Sequence, residues 1–281
     1  MSRIHYNDIV DKIREMCIES NYSLSKDVMA AYEKALETEK SPLGQEVLSQ
    51  IMENARIADK EGVPLCQDTG LAVFFVEVGQ DVSIVGGLLN DAINEGVRQG
   101  YHAGYLRKSV VQDPIFERRN TSDNTPAIIH AEIVAGDRLK IMLDIAGGGC
   151  ENMAALKMLR PSDGLEGVKY FVVETVRNAG ANPCPPVVVG VGIGGDFEKV
   201  AMLAKKALLR PVGQPNPKLE VAALEEDLLK RVNQLGIGPV GLGGVVTALA
   251  VHIEIHPCHI ASLPVAVNLG CHSSRHKNIT L

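Results

Sequence analysis

Cys66-Gln67-Asp68-Thr69-Gly70-Leu71-Ala72-Val73-Phe74-Phe75-Val76-Glu77-Val78 marks the point where the chain changes character. Its second half, Leu71 to Val78, is rich in β-branched and aromatic residues and reads as a buried strand. Its first half sets a cysteine, a carboxylate and a turn glycine within five residues, so it reads as a loop that feeds the strand. The pattern before it is helical, and after it strands and helices intermix. The chain therefore reads as α/β, with a helical N-terminal region followed by mixed strands and helices joined by ligand-bearing loops.

Behind this stretch, residues 1–60 carry three apolar stripes at helical spacing. They are Ile9, Ile13, Met16 and Cys17, then Val28, Ala31, Tyr32 and Leu36 after Ser23 or Ser25, and then Val47, Ile51, Ala55 and Ala58 after Ser41-Pro42. Ahead of it, a helix is expected from about Ile84 to Tyr101. Ala127–Val134 and Arg138–Ile145 read as paired strands around Ala135-Gly136-Asp137, a hairpin turn. The second strand ends in Gly147-Gly148-Gly149, and Glu151 to Leu159 reads as a helix. Glycines between a strand and a helix N-terminus leave backbone N–H groups unobstructed, which suits an anionic group; a tight turn is the competing reading. Further helices are expected over Gly164–Ala179, Asp196–Leu209 and Leu219–Leu235, with a short strand Val187–Val189 and an apolar run Val245–Ile255. No repeat, low-complexity tract or charged linker divides the sequence. A single domain over 1–281 is expected, with room for two lobes and a helical N-terminal region over residues 1–60.

Gly190-Val191-Gly192-Ile193-Gly194-Gly195 satisfies the G-x-G-x-x-G pattern of dinucleotide sites. Such a site needs a second strand ending in an acidic residue about twenty positions on, and here that region is the proline-broken Leu209–Pro217, so the reading fails its context. Gly236 to Gly241 repeats the pattern after a helix rather than a strand, and its glycines read as a cap and turns.

With 281 residues, a net charge of -6 and charged residues at 22%, the chain has the balance of an ordinary soluble protein and no basic face for nucleic acid. Met1 to Asp8 lack a signal-peptide apolar core and no apolar run reaches about 18 residues, so a cytoplasmic, membrane-free protein is expected. A small molecule or another protein is the expected partner. Six cysteines, at 17, 66, 150, 184, 258 and 271, are too sparse for a disulfide scaffold and would keep their thiols in a reducing compartment.

Cys66, Cys184 in Asn182-Pro183-Cys184-Pro185-Pro186 and Cys271 in Asn268-Leu269-Gly270-Cys271-His272 each sit in unusual, loop-forming surroundings. Zinc is a poor fit, because no C-x-x-C is present and His252 and His256 on an extended segment stand about 13 Å apart. Isolated cysteines in loops suit an iron-sulfur cluster whose ligands come from distant regions of a fold. Three thiolates leave one iron open, and an open iron is a Lewis acid for a carboxylate and a hydroxyl. Asp68, two residues from Cys66, is placed to move the proton. Spacing alone does not choose the three ligands. Cys17 lies on an apolar helix face, Cys150 at a helix start is a credible fourth or reactive thiol, and Cys258 is also open.

These motifs together resemble the α subunit of the two-subunit class I fumarate hydratases, a family shared with L-tartrate dehydratase. The resemblance spans essentially the whole chain, through Cys66–Gly70, Gly147–Gly149 with Glu151-Asn152-Met153, Asn182–Pro186 and His259 to Cys271. It implies a [4Fe-4S] cluster on Cys66, Cys184 and Cys271. It also implies that Gln67, Asp68, Arg107, the Gly148 backbone and His259 contact substrate. Without it, Arg107 beside Lys108 reads as a solvated base and His259 as structural. Similar chains lead one to expect serine at position 150, so Cys150 is a departure. In single-chain relatives a second, C-terminal half supplies the base hydroxyl, further arginines and a lysine, which implies a separate β subunit here and a hetero-oligomer. The implied reaction is reversible dehydration of (S)-malate to fumarate. L-tartrate dehydration is the near alternative, and a non-catalytic redox or iron-sensing protein with a fourth cysteine ligand is the distant one.

Overall fold

The three apolar stripes become α1 (Tyr6–Tyr22), α2 (Lys26–Thr38) and α3 (Pro42–Glu61) in a computed structural model that describes residues 2–281; Met1 lies outside the described residues. A short strand, β1 (Ser2–His5), precedes them. The elements that follow are β2 (Leu71–Gly79), β3 (Val82–Val85), α4 (Leu89–Ala103), β4 (Ile128–Val134), β5 (Leu139–Ala146) and the single turn α5 (Gly148–Glu151). Then come β6 (Ala155–Leu159), α6 (Gly164–Ala179), β7 (Val187–Gly194), α7 (Phe197–Ala207), α8 (Leu219–Asn233), β8 (Ala248–His256), β9 (Leu263–Gly270) and β10 (His276–Thr280). The mixed α/β class is the one expected. Among the described residues no helix is long and apolar enough to cross a membrane.

The chain forms two compact units, one from the residues up to Leu24 with Ala55–Gly148 and Arg275–Leu281, the other from Ser25–Asn54 and Gly149–Ser274. In the first, a four-stranded sheet has the order β10-β5-β2-β4, and β1 pairs parallel with β3. The stretch Leu71–Val78 is a central strand, with Ala72 to Val76 buried. Helix α1 packs on α4 at a seam made by glycines. A Cβ on Gly96 would come within 2.5 Å of Ile13 Cβ, and one on Gly100 within 2.9 Å of Cys17 Cβ. Cys17 is fully buried in that seam, and burial pushes its thiol up to about 12. It is a core residue, as its helical face predicted.

Two sequence expectations fail in this unit. The helix expected from Ile84 starts at Leu89, because Ile84 is taken up by β3. β4 and β5 do not form a hairpin: β2 lies between them, parallel to β4 and antiparallel to β5. The connection through Gly136 instead crosses the end of β2, with Gly79 N–H donating to Arg138 O at 2.9 Å and Asp81 N–H to Gly136 O at 2.9 Å. Gly79 permits the crossing, since a Cβ there would lie 2.6 Å from Gly136 O.

In the second unit the sheet order is β6-β9-β7-β8, with only the β7–β8 pair parallel. Alternation along β7 sorts its two faces. Val187, Val189 and Val191 join the core with α6 and α8, while Gly190 and Gly192 face α7. A Cβ on Gly190 would lie 2.2 Å from Ala204 O and one on Gly192 2.2 Å from Val200 O, so these glycines let the helix lie directly on the strand. The glycine pattern is therefore inside a strand rather than in a strand-to-helix turn, and the strand expected to end at Val189 runs on to Gly194. The helix expected over Glu151–Leu159 is also corrected. Only Gly148–Glu151 is helical, and Ala155–Leu159 is strand β6 paired antiparallel with β9. Pairing with a buried neighbour overrides the local helical pattern there.

Candidate functional site

The Cys66–Gly70 loop, between α3 and β2, is fastened almost atom by atom from within the first unit. Leu65 N–H donates to Asn21 O at 2.8 Å ahead of it. Arg275 Nη1 donates to the Asp68 carbonyl at 2.5 Å. The Tyr101 hydroxyl donates to Thr69 O at 2.5 Å and reaches Gly70 O at 3.1 Å, where Asn124 Nδ2 also donates at 3.1 Å. Burial, with a smaller contribution from Cys17, raises the Tyr101 hydroxyl far above its ordinary range, so it stays a donor. Gly70 has φ +66°, and a Cβ there would meet Ala146 O at 2.8 Å, which leaves glycine as the fitting residue.

Within this frame the reactive groups are more open. Cys66 is half-buried; its Sγ accepts the Asp68 N–H at 3.4 Å and its thiol faces Gln67 Oε1 at 3.3 Å. The Asp68 carboxylate accepts the Gly70 N–H on Oδ1 at 3.0 Å and the Gly148 N–H on Oδ2 at 2.8 Å. The anion that the glycine loop was expected to hold is thus, to that extent, the chain's own Asp68. With only one helical turn behind it, the backbone amide rather than a helix dipole does the holding. Gln67 and Arg107 are exposed, and the Arg107 carbonyl accepts the Thr69 hydroxyl at 2.8 Å, which ties Arg107 to the same loop.

The second unit carries Cys184, Cys271 and His259. Cys184 is exposed with φ +54°, and its carbonyl accepts the His272 N–H at 3.1 Å, so the loops bearing Cys184 and Cys271 are joined by a backbone bond. The fully buried Tyr32 donates its hydroxyl to His272 O at 2.6 Å. Burial, and after it the nearby Cys271 sulfur, hold that hydroxyl well above its usual pKa. His259 is exposed in the turn after β8, and its Nδ1 accepts the Ala261 N–H at 3.1 Å. In the neutral ring that bond leaves the proton on Nε2, a donor. Cys150 is buried, with Sγ 3.5 Å from Pro183 O and Gly149 against Asn182 O, so it supports the Cys184 loop as a thiol. Cys258 is exposed, its thiol directed to Ser262 O at 3.4 Å.

The donor set fits an iron-sulfur group. No disulfide consumes any of the six cysteines, and Cys66, Cys184 and Cys271 all lie in loops held by buried partners. Cys66 already receives the kind of backbone N–H that steadies a thiolate. Among the described residues no group of three or more His, Cys, Asp or Glu side chains is arranged to hold a single metal ion. A cluster asks for something looser, since each thiolate binds its own iron.

Several residues that build the site gave little sign in the sequence. Arg275, in a run with His276 and Lys277, reads as a solvated base but is 4% exposed. Tyr101 ends a helix stripe, and Asn124 with Asn21 lie in polar stretches without a motif. Only burial, a property of the fold, distinguishes them.

The sequence profile described as Fumarate hydratase (Fumerase) matches residues 10–280. A protein of Methanocaldococcus jannaschii provisionally named L(+)-tartrate dehydratase subunit alpha is 44% identical over 271 residues, covering 95% of this chain and 95% of that protein. The L(+)-tartrate dehydratase alpha subunits of Escherichia coli strain K12 and of Shigella boydii serotype 4 are each 35% identical over 283 residues, covering 98% of this chain and 92% of the relative. A profile spanning nearly every residue, with relatives matched along their whole length, leads to one conclusion: the chain belongs to the fumarate hydratase family.

Proposed function

We propose that this chain is the α subunit of an iron-sulfur hydro-lyase that dehydrates a four-carbon hydroxy-dicarboxylate, (S)-malate to fumarate, together with a separate β subunit in the cytoplasm. The observation that carries the reading is Asp68, two residues from Cys66, with its carboxylate held by the Gly70 and Gly148 amides while unused lone pairs remain. Cys66, Cys184 and Cys271 would hold a [4Fe-4S] cluster, which would supply Lewis acidity toward the substrate carboxylate and hydroxyl. Arg107, exposed and anchored through its carbonyl to Thr69, offers a planar fork of donors to a carboxylate. The Nε2 side of His259 and the amide of Gln67 offer donors for substrate oxygens. Asp68 takes part in moving the proton at the carbon next to the departing hydroxyl. Gly148 contributes by fixing that carboxylate.

L-tartrate is the second substrate reading, favoured by the names of the relatives, and it differs from malate by one hydroxyl. The test is anaerobic reconstitution of the chain with its β subunit, measurement of iron and sulfide per chain, and separate assays with (S)-malate and L-tartrate. Turnover of one of them by iron-loaded material assigns the substrate. Iron-free protein, or loaded protein that dehydrates neither acid, sinks the proposal.

A further inference from the structure

We infer that Arg275 is a positioning residue for Asp68, an inference that rests on the proposed role of Asp68 in proton transfer. Arg275 is 4% exposed, and its Nη1 donates to two acceptors, the Asp68 carbonyl at 2.5 Å and Asn21 Oδ1 at 3.0 Å. Its own carbonyl accepts the Ile145 N–H at 3.0 Å, so its backbone is fixed to the end of β5. Asn21, fully buried, accepts Leu65 N–H on its carbonyl and donates its side-chain amide to Cys17 O at 2.9 Å. The Arg275–Asn21 pair therefore grips the chain on both sides of Cys66 and Gln67, at Leu65 and at Asp68.

The surroundings of the guanidinium go beyond a backbone tie. Arg275 Nε is buried and meets no protein acceptor, so the side chain is held through Nη1. Moreover, Arg275 Nη2 and Asp68 Oδ2 flank the same glycine: a Cβ on Gly147 would lie 3.2 Å from Oδ2 and 3.6 Å from Nη2. Gly147 thereby keeps open the space into which both the cation and the carboxylate reach. The guanidinium acts on Asp68 through its backbone. It holds the residue's backbone so that Oδ1 and Oδ2 meet the Gly70 and Gly148 amides. A lysine would keep the charge and could donate to both acceptors, but its ammonium on a flexible stem lacks the rigid plane that carries Nη2 to Gly147.

The test uses the anaerobic complex with the β subunit, as wild type, R275K and R275M. The expected result is iron per chain and KM within about threefold of wild type, with turnover per assembled cluster lowered about 100-fold in R275M and about tenfold in R275K, the scale of a small misplacement of a reacting group. A readout independent of turnover is amide hydrogen exchange in the chain before cluster loading. The Gly70 and Gly148 amides, both given to Asp68, should lose protection in the variants while Val73–Val76 in β2 keep theirs. Unchanged turnover per cluster in both variants overturns the inference, as does an equal loss of protection throughout the first unit, which would mark a purely structural arginine. If the wild-type complex holds no iron or dehydrates neither acid, the proposed function fails instead, and the exchange comparison at Gly70 and Gly148 still decides whether Arg275 positions Asp68.

Discussion

Glu39 and Asp68 are both held by backbone amides, and they differ in what is left over. Glu39, at the end of α2, is 2% exposed. Its oxygens accept the N–H groups of Lys40, Ser41, Val245 and Val246 at 2.8 to 3.1 Å. Gly44 and Gly244 press close enough that a Cβ on either would fall within 2.9 Å of its side chain. Asp68 is half-buried and takes two amides. Glu39 is a saturated pin that closes one loop onto another. Asp68 is oriented but unsaturated, with lone pairs free to meet a proton. Glu39 therefore has no acceptor left for a further donor, while the role proposed for Asp68 needs the lone pairs that its two amides leave over.

The sharpest way to break this contrast is to remove each charge in turn. Asp68→Asn keeps the size of the side chain and an oxygen for one amide but removes the basic group. The cluster spectrum should be unchanged while kcat of the complex falls by about 10²- to 10⁴-fold, the usual span for a general acid–base group. Wild-type turnover in D68N would place proton transfer elsewhere.

Glu39→Gln should do the opposite. Its NH₂ must face one of the amide donors that the carboxylate now accepts, so a buried donor is left opposed. Stability should fall by about 2–3 kcal/mol, read as a lower denaturant midpoint, while turnover per assembled cluster stays at the wild-type level. The pH dependence has a definite sign. Burial works to raise the Glu39 pKa, but the backbone hydrogen bonds of Ser41, Val246, Val245 and Lys40 together outweigh it and leave it below the ordinary glutamate value of 4.5. Its contribution is therefore fully present above about 4.5 and is lost as pH falls through the lower folded value. E39Q should flatten that acid limb, and an unaltered acid limb would remove Glu39 from the account.

The contrast between these carboxylates lies largely beyond the reach of sequence, for a physical reason. Asp68 is conspicuous beside Cys66 and ahead of an unmistakable strand, and the loop could be read from local residues. Its partner amide at Gly148 is eighty residues away, and Arg275 a further 127, so nothing local announces them. Glu39 drew no notice at all, because a glutamate at a helix end followed by Lys40 and Ser41 looks solvated until Val245 and Val246 are brought to it. The same limit explains the fold errors. Val134 and Leu139 are close in sequence, which suggests a hairpin, but β2 lies between their strands and pairs with both. Ala155–Leu159 has a helical spacing that gives way once β9 offers a ladder of hydrogen bonds.

A smaller effect should come from Gly96→Ala, which tests whether lost stability alone reproduces either carboxylate phenotype. The new methyl would press on Ile13 Cβ at 2.5 Å and Val10 O at 2.8 Å. Overpacking of about 1–3 kcal/mol should outweigh the gain of roughly 1 kcal/mol in helix propensity. The expected outcome is a lower unfolding midpoint with an unchanged acid limb and unchanged turnover per cluster. A neutral or stabilised G96A would show that the α1–α4 seam yields, and that the close approach does not require glycine.

The mildest test extends the contrast from carboxylates to thiols and needs no mutation. Cys17 is fully buried with its pKa pushed up to about 12, so near neutral pH it is essentially all thiol and shielded. Cys184 and Cys258 are exposed. Since the thiolate is the nucleophile, iodoacetamide added to the metal-free native chain should alkylate Cys184 and Cys258 and leave Cys17 unmodified until denaturant is added. Loading the chain with iron and sulfide should then protect Cys184 but not Cys258, because only the former is a proposed ligand. Protection of Cys258 would bring it into the ligand set in place of one of the three. Labelling of Cys17 before unfolding would mean that the seam between α1 and α4 opens on the timescale of the reagent, and the first unit would be looser than its packing requires.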